Sequence, residues 1–164
     1  MDRHCIPEGR FAATTRIGKD GTIIRVSSSP DDDIPNMKEA KQGNSWAQNE
    51  VGLAYYNGKG VTKSDEKAAE WWQKSAGQGY MHAQSNLGNC YNMGWGVEKN
   101  LAKAHEWWLK ASNQGHGQAS FNLANHYYDG LGFNVDKDKA FEYYTKAVAQ
   151  GYEKAKEKLK KLIF

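Results

Sequence analysis

The feature that most constrains this chain is a spacing of 36 residues at which the sequence repeats itself. Gly43, Gly79, Gly115 and Gly151 recur at that step, each preceded by Gln (Gln42, Gln78, Gln114, Gln150). The same shift relates Ala47, Ala83, Ala119 and Ala155, then Val51, Leu87, Leu123 and Leu159, then Tyr55, Tyr91 and Tyr127. It also relates the loop glycines Gly58, Gly94 and Gly130, the lysines Lys67, Lys103 and Lys139, and the doublets Trp71-Trp72, Trp107-Trp108 and Tyr143-Tyr144. A chain built this way places one supersecondary unit after another, and each unit buries its apolar face only against its neighbours.

Within a unit the spacing reads as two helices. Ala47, Val51, Ala54 and Tyr55 fall on one helical face. Gly58-Lys59-Gly60 ends that first helix, because glycine adopts the left-handed C-terminal conformation at little cost. Ser64, Asn100 and Asp136 occupy equivalent positions just before the second helix, and all three residue types accept hydrogen bonds from the free N–H groups of a helix start. The second helix carries Ala68, Trp71, Trp72 and Ser75 or their equivalents, and the Gln-Gly pair closes it.

The motif Ala83-x-x-x-Leu87-Gly88-x-x-Tyr91-x-x-Gly94-x-Gly96-Val97, followed by Lys103-Ala104, Trp107 and Gln114-Gly115, resembles the Sel1-like repeat family, relatives of the tetratricopeptide repeats. The resemblance covers roughly residues 35 to 164. It implies an all-α fold, an α/α superhelical solenoid of stacked helix pairs whose first helices line a concave face. The expected units are a half-repeat cap at 35–42, with Pro35 in its first turn, repeats at 43–78, 79–114 and 115–150, and a capping helix at 151–164. In that closing helix Ala155, Leu159, Leu162 and Ile163 continue the apolar face and its lysines point away. Residues 1–34 lie outside the repeat. Their Thr-, Ile- and Val-rich stretches 11–17 and 22–26, around Gly18-Lys19-Asp20-Gly21, are compatible with a β-hairpin and equally with a mobile arm.

Composition narrows the function classes. With 164 residues, 39% hydrophobic and 25% charged, the chain fits one folded domain. Neither a run of 18 apolar residues nor the apolar core of a secretory signal is present, so no membrane span and a cytoplasmic location are expected. Two cysteines, Cys5 and Cys90, are too few for a disulfide framework. The net charge of +3 comes from lysines in the last thirteen residues, which argues against a nucleic-acid tract along the body.

No cofactor or metal is expected. The histidines His4, His82, His105, His116 and His126 show no ligand spacing, and His126 aligns with Ala54 and Cys90 near the buried face. Ser64-Asp65-Glu66-Lys67 matches the S-x-x-K arrangement of β-lactamases, and secreted, cysteine-rich members of the Sel1-like family are described as binding or weakly hydrolysing β-lactams. Ser64 is read instead as a helix cap, because Asn100 and Asp136 take its place in the next units and no S-D-N or K-T-G follows. The expectation is that the chain is not an enzyme.

Of each aromatic doublet only one ring can sit at the centre of a repeat interface, since neighbours on a helix diverge by about 100°. Trp95 and Leu131, in the Gly-x-Gly loops, are expected at the surface. If the first-helix face at 47, 51, 54 and 55 is buried, the opposite face carries the candidate partner-binding residues. They are Trp46, Asn49 and Tyr56, then His82, Asn86, Asn89 and Asn92, and finally Phe121, Asn122, Asn125 and Tyr128. Asparagine is a mediocre helix former, so a face rich in it asks for a reason. Its amide both donates and accepts, which suits an extended peptide. Asn89 and Asn125 match positions that hold bound peptides in the tetratricopeptide repeats, and are expected to face solvent and add little to stability. The expected role is noncatalytic binding of a peptide or helix of another protein. The alternatives are β-lactam or cell-wall-fragment chemistry, and self-assembly through the N-terminal arm or terminal helix.

Overall fold

The computed structural model describes residues 15–17, 20–21, 23–25 and 30–163. Eight α-helices follow one another among them: α1 (Met37–Lys41), α2 (Ser45–Asn57), α3 (Asp65–Gly77), α4 (Met81–Met93), α5 (Leu101–Asn113), α6 (Gly117–Asp129), α7 (Lys137–Ala149) and α8 (Ala155–Ile163). The fold class is all-α, each helix packing on the next in sequence. None is long and apolar enough to cross a membrane. Of the expected hairpin, Thr15–Ile17 and Ile23–Arg25 are described as a three-residue antiparallel pairing with Thr15 opposite Arg25, too short to count as a layer of the fold. Apart from residues 20 and 21, the remainder of that stretch lies outside the described residues.

Helix boundaries follow the repeated chemistry. Ser64, Asn100 and Asp136 cap α3, α5 and α7, accepting the backbone N–H of Lys67, Lys103 and Lys139 at 3.2, 3.0 and 2.9 Å. Gly58, Gly94 and Gly130 end α2, α4 and α6 at φ of 66°, 77° and 70°, where a side chain would be strained. Pro35 falls ahead of α1 rather than in its first turn, because Asn36 at φ 66° turns the chain before the helix begins. Glutamines tie the end of each second helix to the first helix of its own repeat: Gln78 Nε2, after α3, donates to Gln48 Oε1 of α2 at 2.7 Å, and Gln114 Nε2, after α5, to Gln84 Oε1 of α4 at 2.8 Å.

The core runs down the stack from Ile34 and Met37 through Val51, Tyr55, Leu87, Cys90 and Leu123 to Ala147 and Ala155. The second ring of each doublet, Trp72, Trp108 and Tyr144, is buried, while Trp71, Trp107 and Tyr143 are half-buried beneath the ammonium groups of Lys74, Lys110 and Lys146. Each buried ring needs room on the facing first helix. A Cβ at Gly52 would lie 2.6 Å from Trp72, and one at Gly88 would lie 2.4 Å from Trp108. The third repeat carries the smaller Tyr144, and Ala124 stands where Gly52 and Gly88 stand before it.

Gly88→Ala should therefore destabilise the protein by about 1–3 kcal/mol, because the added methyl meets an indole that core packing holds in place. Chemical denaturation measures it; a loss below ~0.5 kcal/mol would mean that Trp108 moves aside freely.

Candidate functional site

The first helices α4, α6 and α8, with the loops after α4 and α6, enclose a groove of about 500 Å3. Asn89, Asn92 and Met93 come from α4, Gln118, Asn122, Asn125 and Asp129 from α6, and Lys158 from α8; Trp95, Leu131, Trp108 and His126 complete the wall. Four of the eleven candidate residues (Asn89, Asn92, Asn122 and Asn125) are thus brought together.

The others are placed differently. Asn49 is only 3% exposed, its Nδ2 donating to Glu50 and its Oδ1 accepting from Asn86 at 3.1 Å. It is covered because the neighbouring first helix lies across it. Tyr56 packs between Trp72 and Trp95, with ring centroids 5.6 and 5.3 Å away. That contact also draws Trp95 in, so this residue is half-buried instead of standing at the surface. Phe121 rests on Tyr144 and Tyr152 at 5.7 and 5.0 Å, because the capping segment closes over it. Trp46, His82 and Tyr128 are exposed, and the His82 ring meets His116 edge-on at 5.1 Å. Lys158 was not foreseen as a groove residue: the alternating lysines of α8 read as a solvated face.

The amides of the groove are oriented from within. The Trp108 indole N–H, which can only donate, gives its hydrogen to Asn89 Oδ1 at 3.1 Å, and Asn122 Nδ2 donates to the same oxygen at 3.1 Å. With its oxygen committed on both sides, Asn89 keeps its NH2 for the groove. Tyr144 hydroxyl likewise donates to Asn125 Oδ1 at 2.6 Å. The expectation that Asn89 and Asn125 are free amides of little consequence for folding is corrected here, since each satisfies the polar edge of a buried ring. In the first repeat Leu53 stands at the equivalent position, and Trp72 Nε1 is buried with no hydrogen-bond partner.

Behind the groove wall lies a pair of buried histidines. His105 Nε2 and His126 Nδ1 are 2.7 Å apart, at 6% and 5% exposure. One ring donates and the other accepts across this contact, and His105 Nδ1 is buried without a hydrogen-bond partner. Burial, with His126 close by, lowers the His105 pKa to about 4; burial also lowers that of His126. Phe133 stacks on His105 at 3.8 Å, and Trp108 meets His126 edge-on at 4.9 Å. Cys90 is a buried thiol whose pKa burial pushes up to about 12, which leaves it un-ionised at neutral pH. Ser64 Oγ caps α3 and bonds Glu66, while the Lys67 ammonium is engaged by Asp31 at 3.0 Å. Among the described residues no group of three or more His, Cys, Asp or Glu could hold a metal ion.

A Sel1 repeat model matches residues 47–80, 82–116 and 117–152. A Sel1 repeat protein from Oxalobacter formigenes superimposes with a TM-score of 0.70 at 35% identity, over 75% of this chain and 51% of that one. A protective antigen of uropathogenic Escherichia coli strains, displaying an SLR fold, does so with a TM-score of 0.72 at 32% identity, over 76% of this chain and 27% of the other. The chain thus spans about half of the first and about a quarter of the second. No curated protein matches it.

Because both histidine pKa values are depressed in the folded state, the unfolded chain binds more protons between about pH 6.5 and pH 4, and stability falls as pH drops through that window. The His105 contribution is of the order of 2–3 kcal/mol. Denaturant unfolding across pH 7 to 4 should show this loss, and His105→Ala with His126→Ala, which installs the first-repeat residues Ala69 and Ala54, should flatten it. An unchanged slope in the double variant would assign the acid sensitivity to other groups.

Proposed function

The chain belongs to the Sel1 repeat family, and from that premise we propose that it is a noncatalytic interaction module that holds a peptide or helical segment of another protein in the groove between α4, α6 and α8. The observation that carries this reading is the ladder of asparagines. Amides from successive first helices converge on one 500 Å3 groove, with the Asn89 NH2 turned toward it by the hydrogen bond from Trp108. Donors presented in a row suit the carbonyl oxygens of an extended backbone, and Met93 and Leu131 add apolar contact at the rim. Orientation fixed before binding lowers the ordering cost. A short groove of this kind fits a Kd near ~1 μM, about 8 kcal/mol.

Asn92 and Gln118 probe the groove without touching the core: both line it, and neither makes a side-chain hydrogen bond among the described residues. Proteins retained from native extract by the wild-type chain, then purified and titrated, should bind Asn92→Ala with Gln118→Ala at least tenfold more weakly, at an unchanged unfolding midpoint. Covering a peptide group without its partner costs roughly 1–3 kcal/mol per group, so two losses exceed a factor of ten. Lys74→Ala with Lys110→Ala, on second helices, should bind like the wild type. If the lysine pair abolishes binding and the groove pair does not, the working surface lies on the second helices.

A further inference from the structure

We propose that the cleft formed by Tyr127, Lys139, Tyr143 and Lys146 is a second docking site, one that accepts the carboxylate side chains of an acidic segment of a partner protein. It shares no residue with the amide groove. The pattern for it is present within the chain, at the first repeat. There Lys67 lies over the Tyr55 ring, 4.9 Å from its centroid, and Asp31 bonds the Lys67 ammonium at 3.0 Å and the Tyr55 hydroxyl as well. An ammonium held over a phenol, with the hydroxyl beside it, is a two-donor receptor for one carboxylate.

The third repeat rebuilds that receptor and doubles it. Lys139 lies over Tyr127 at 5.2 Å, and Lys146 lies over Tyr143 at 5.8 Å. The two phenol rings are stacked 5.6 Å apart and nearly parallel, so both lysine–tyrosine pairs open on one cleft of about 320 Å3. Tyr143 is the reason that the pairing occurs only here. The two earlier repeats carry Trp71 and Trp107 at its position, and an indole supplies no hydroxyl there. Lys146 spends one hydrogen on Asn113 Oδ1 at 3.1 Å and keeps two.

Charge favours an anion at this cleft. Glu142 is the single carboxylate lining it, against two ammonium groups. Among the described residues neither Lys139 nor Lys146 is in a salt bridge, whereas Lys67 is. Glu106 lines an adjoining cleft that shares Tyr127 and Tyr143, and it forms no salt bridge with Lys139 or Lys146 among the described residues. The place that Asp31 holds one repeat before Lys67 is held before Lys139 by another cation, Lys103. The occupant indicated is a peptide with consecutive acidic residues, like the chain's own Asp31-Asp32-Asp33.

The test is calorimetric titration of the full chain with a capped peptide carrying three consecutive aspartates in a Gly-Ser background, and with the same peptide carrying asparagines. The aspartate peptide should bind saturably and the asparagine one not. Lys139→Gln with Lys146→Gln should weaken binding about fivefold or more, and Tyr143→Trp should weaken it as well, each at unchanged helical content. Lys74→Gln with Lys110→Gln should leave it as it is. Equal binding of both peptides, an unaffected Lys139/Lys146 double variant, or tighter binding of inorganic phosphate or a DNA duplex at the same residues would each overturn the proposal.

Discussion

The structure depends on one steric fit, repeated down the chain: a large ring on each second helix enters a gap that the facing first helix leaves by carrying glycine or alanine there. Trp72 fills the space over Gly52, Trp108 that over Gly88, and Tyr144, the smaller ring, the space over Ala124. Ring size and gap size change together down the stack. Interiors pack at near-crystalline density, and a misfit of even one methyl group is felt. Because each pair then serves as the platform for the next, the fit inside a repeat also sets where its first helix presents its outer face.

That fit links core to surface through the polar edge of the ring. A buried indole N–H or phenol O–H has to be hydrogen-bonded, and Asn89 and Asn125 provide the acceptors. An asparagine so used cannot turn its oxygen to solvent. The groove consequently inherits an ordered row of amides as a by-product of satisfying the core. The first repeat shows the contrast, since Leu53 leaves Trp72 Nε1 without a partner and the groove does not extend to that position.

The repeat, the helix caps and the burial of one ring per doublet were legible in the sequence because each recurs at a fixed spacing under the same local chemistry. Asn49, Tyr56 and Phe121 were misplaced for a shared reason. A helical wheel describes two helices in contact, whereas these residues are covered by a third body: the next first helix, the loop at Trp95, or the capping segment at Tyr152. Lys158 was hidden by the apparent uniformity of the α8 lysines. The His105–His126 pair was out of reach for the opposite reason. It joins positions 21 residues apart that have no histidine counterparts in the other repeats, and only His126, by aligning with Ala54 and Cys90, gave a signal.

The link between the buried ring and the groove amide is tested most directly by a double-mutant cycle on Asn89 and Trp108, comparing the unfolding free energies of Asn89→Ala, Trp108→Phe and the double variant with the wild type. Trp108→Phe removes the indole N–H, and Asn89→Ala removes its acceptor. A hydrogen bond that satisfies a buried donor should appear as a coupling of about 1–2 kcal/mol, the double variant losing less than the sum of the single losses. Additivity within ~0.3 kcal/mol would contradict the account, because Asn89 would then be a surface amide that core packing does not orient.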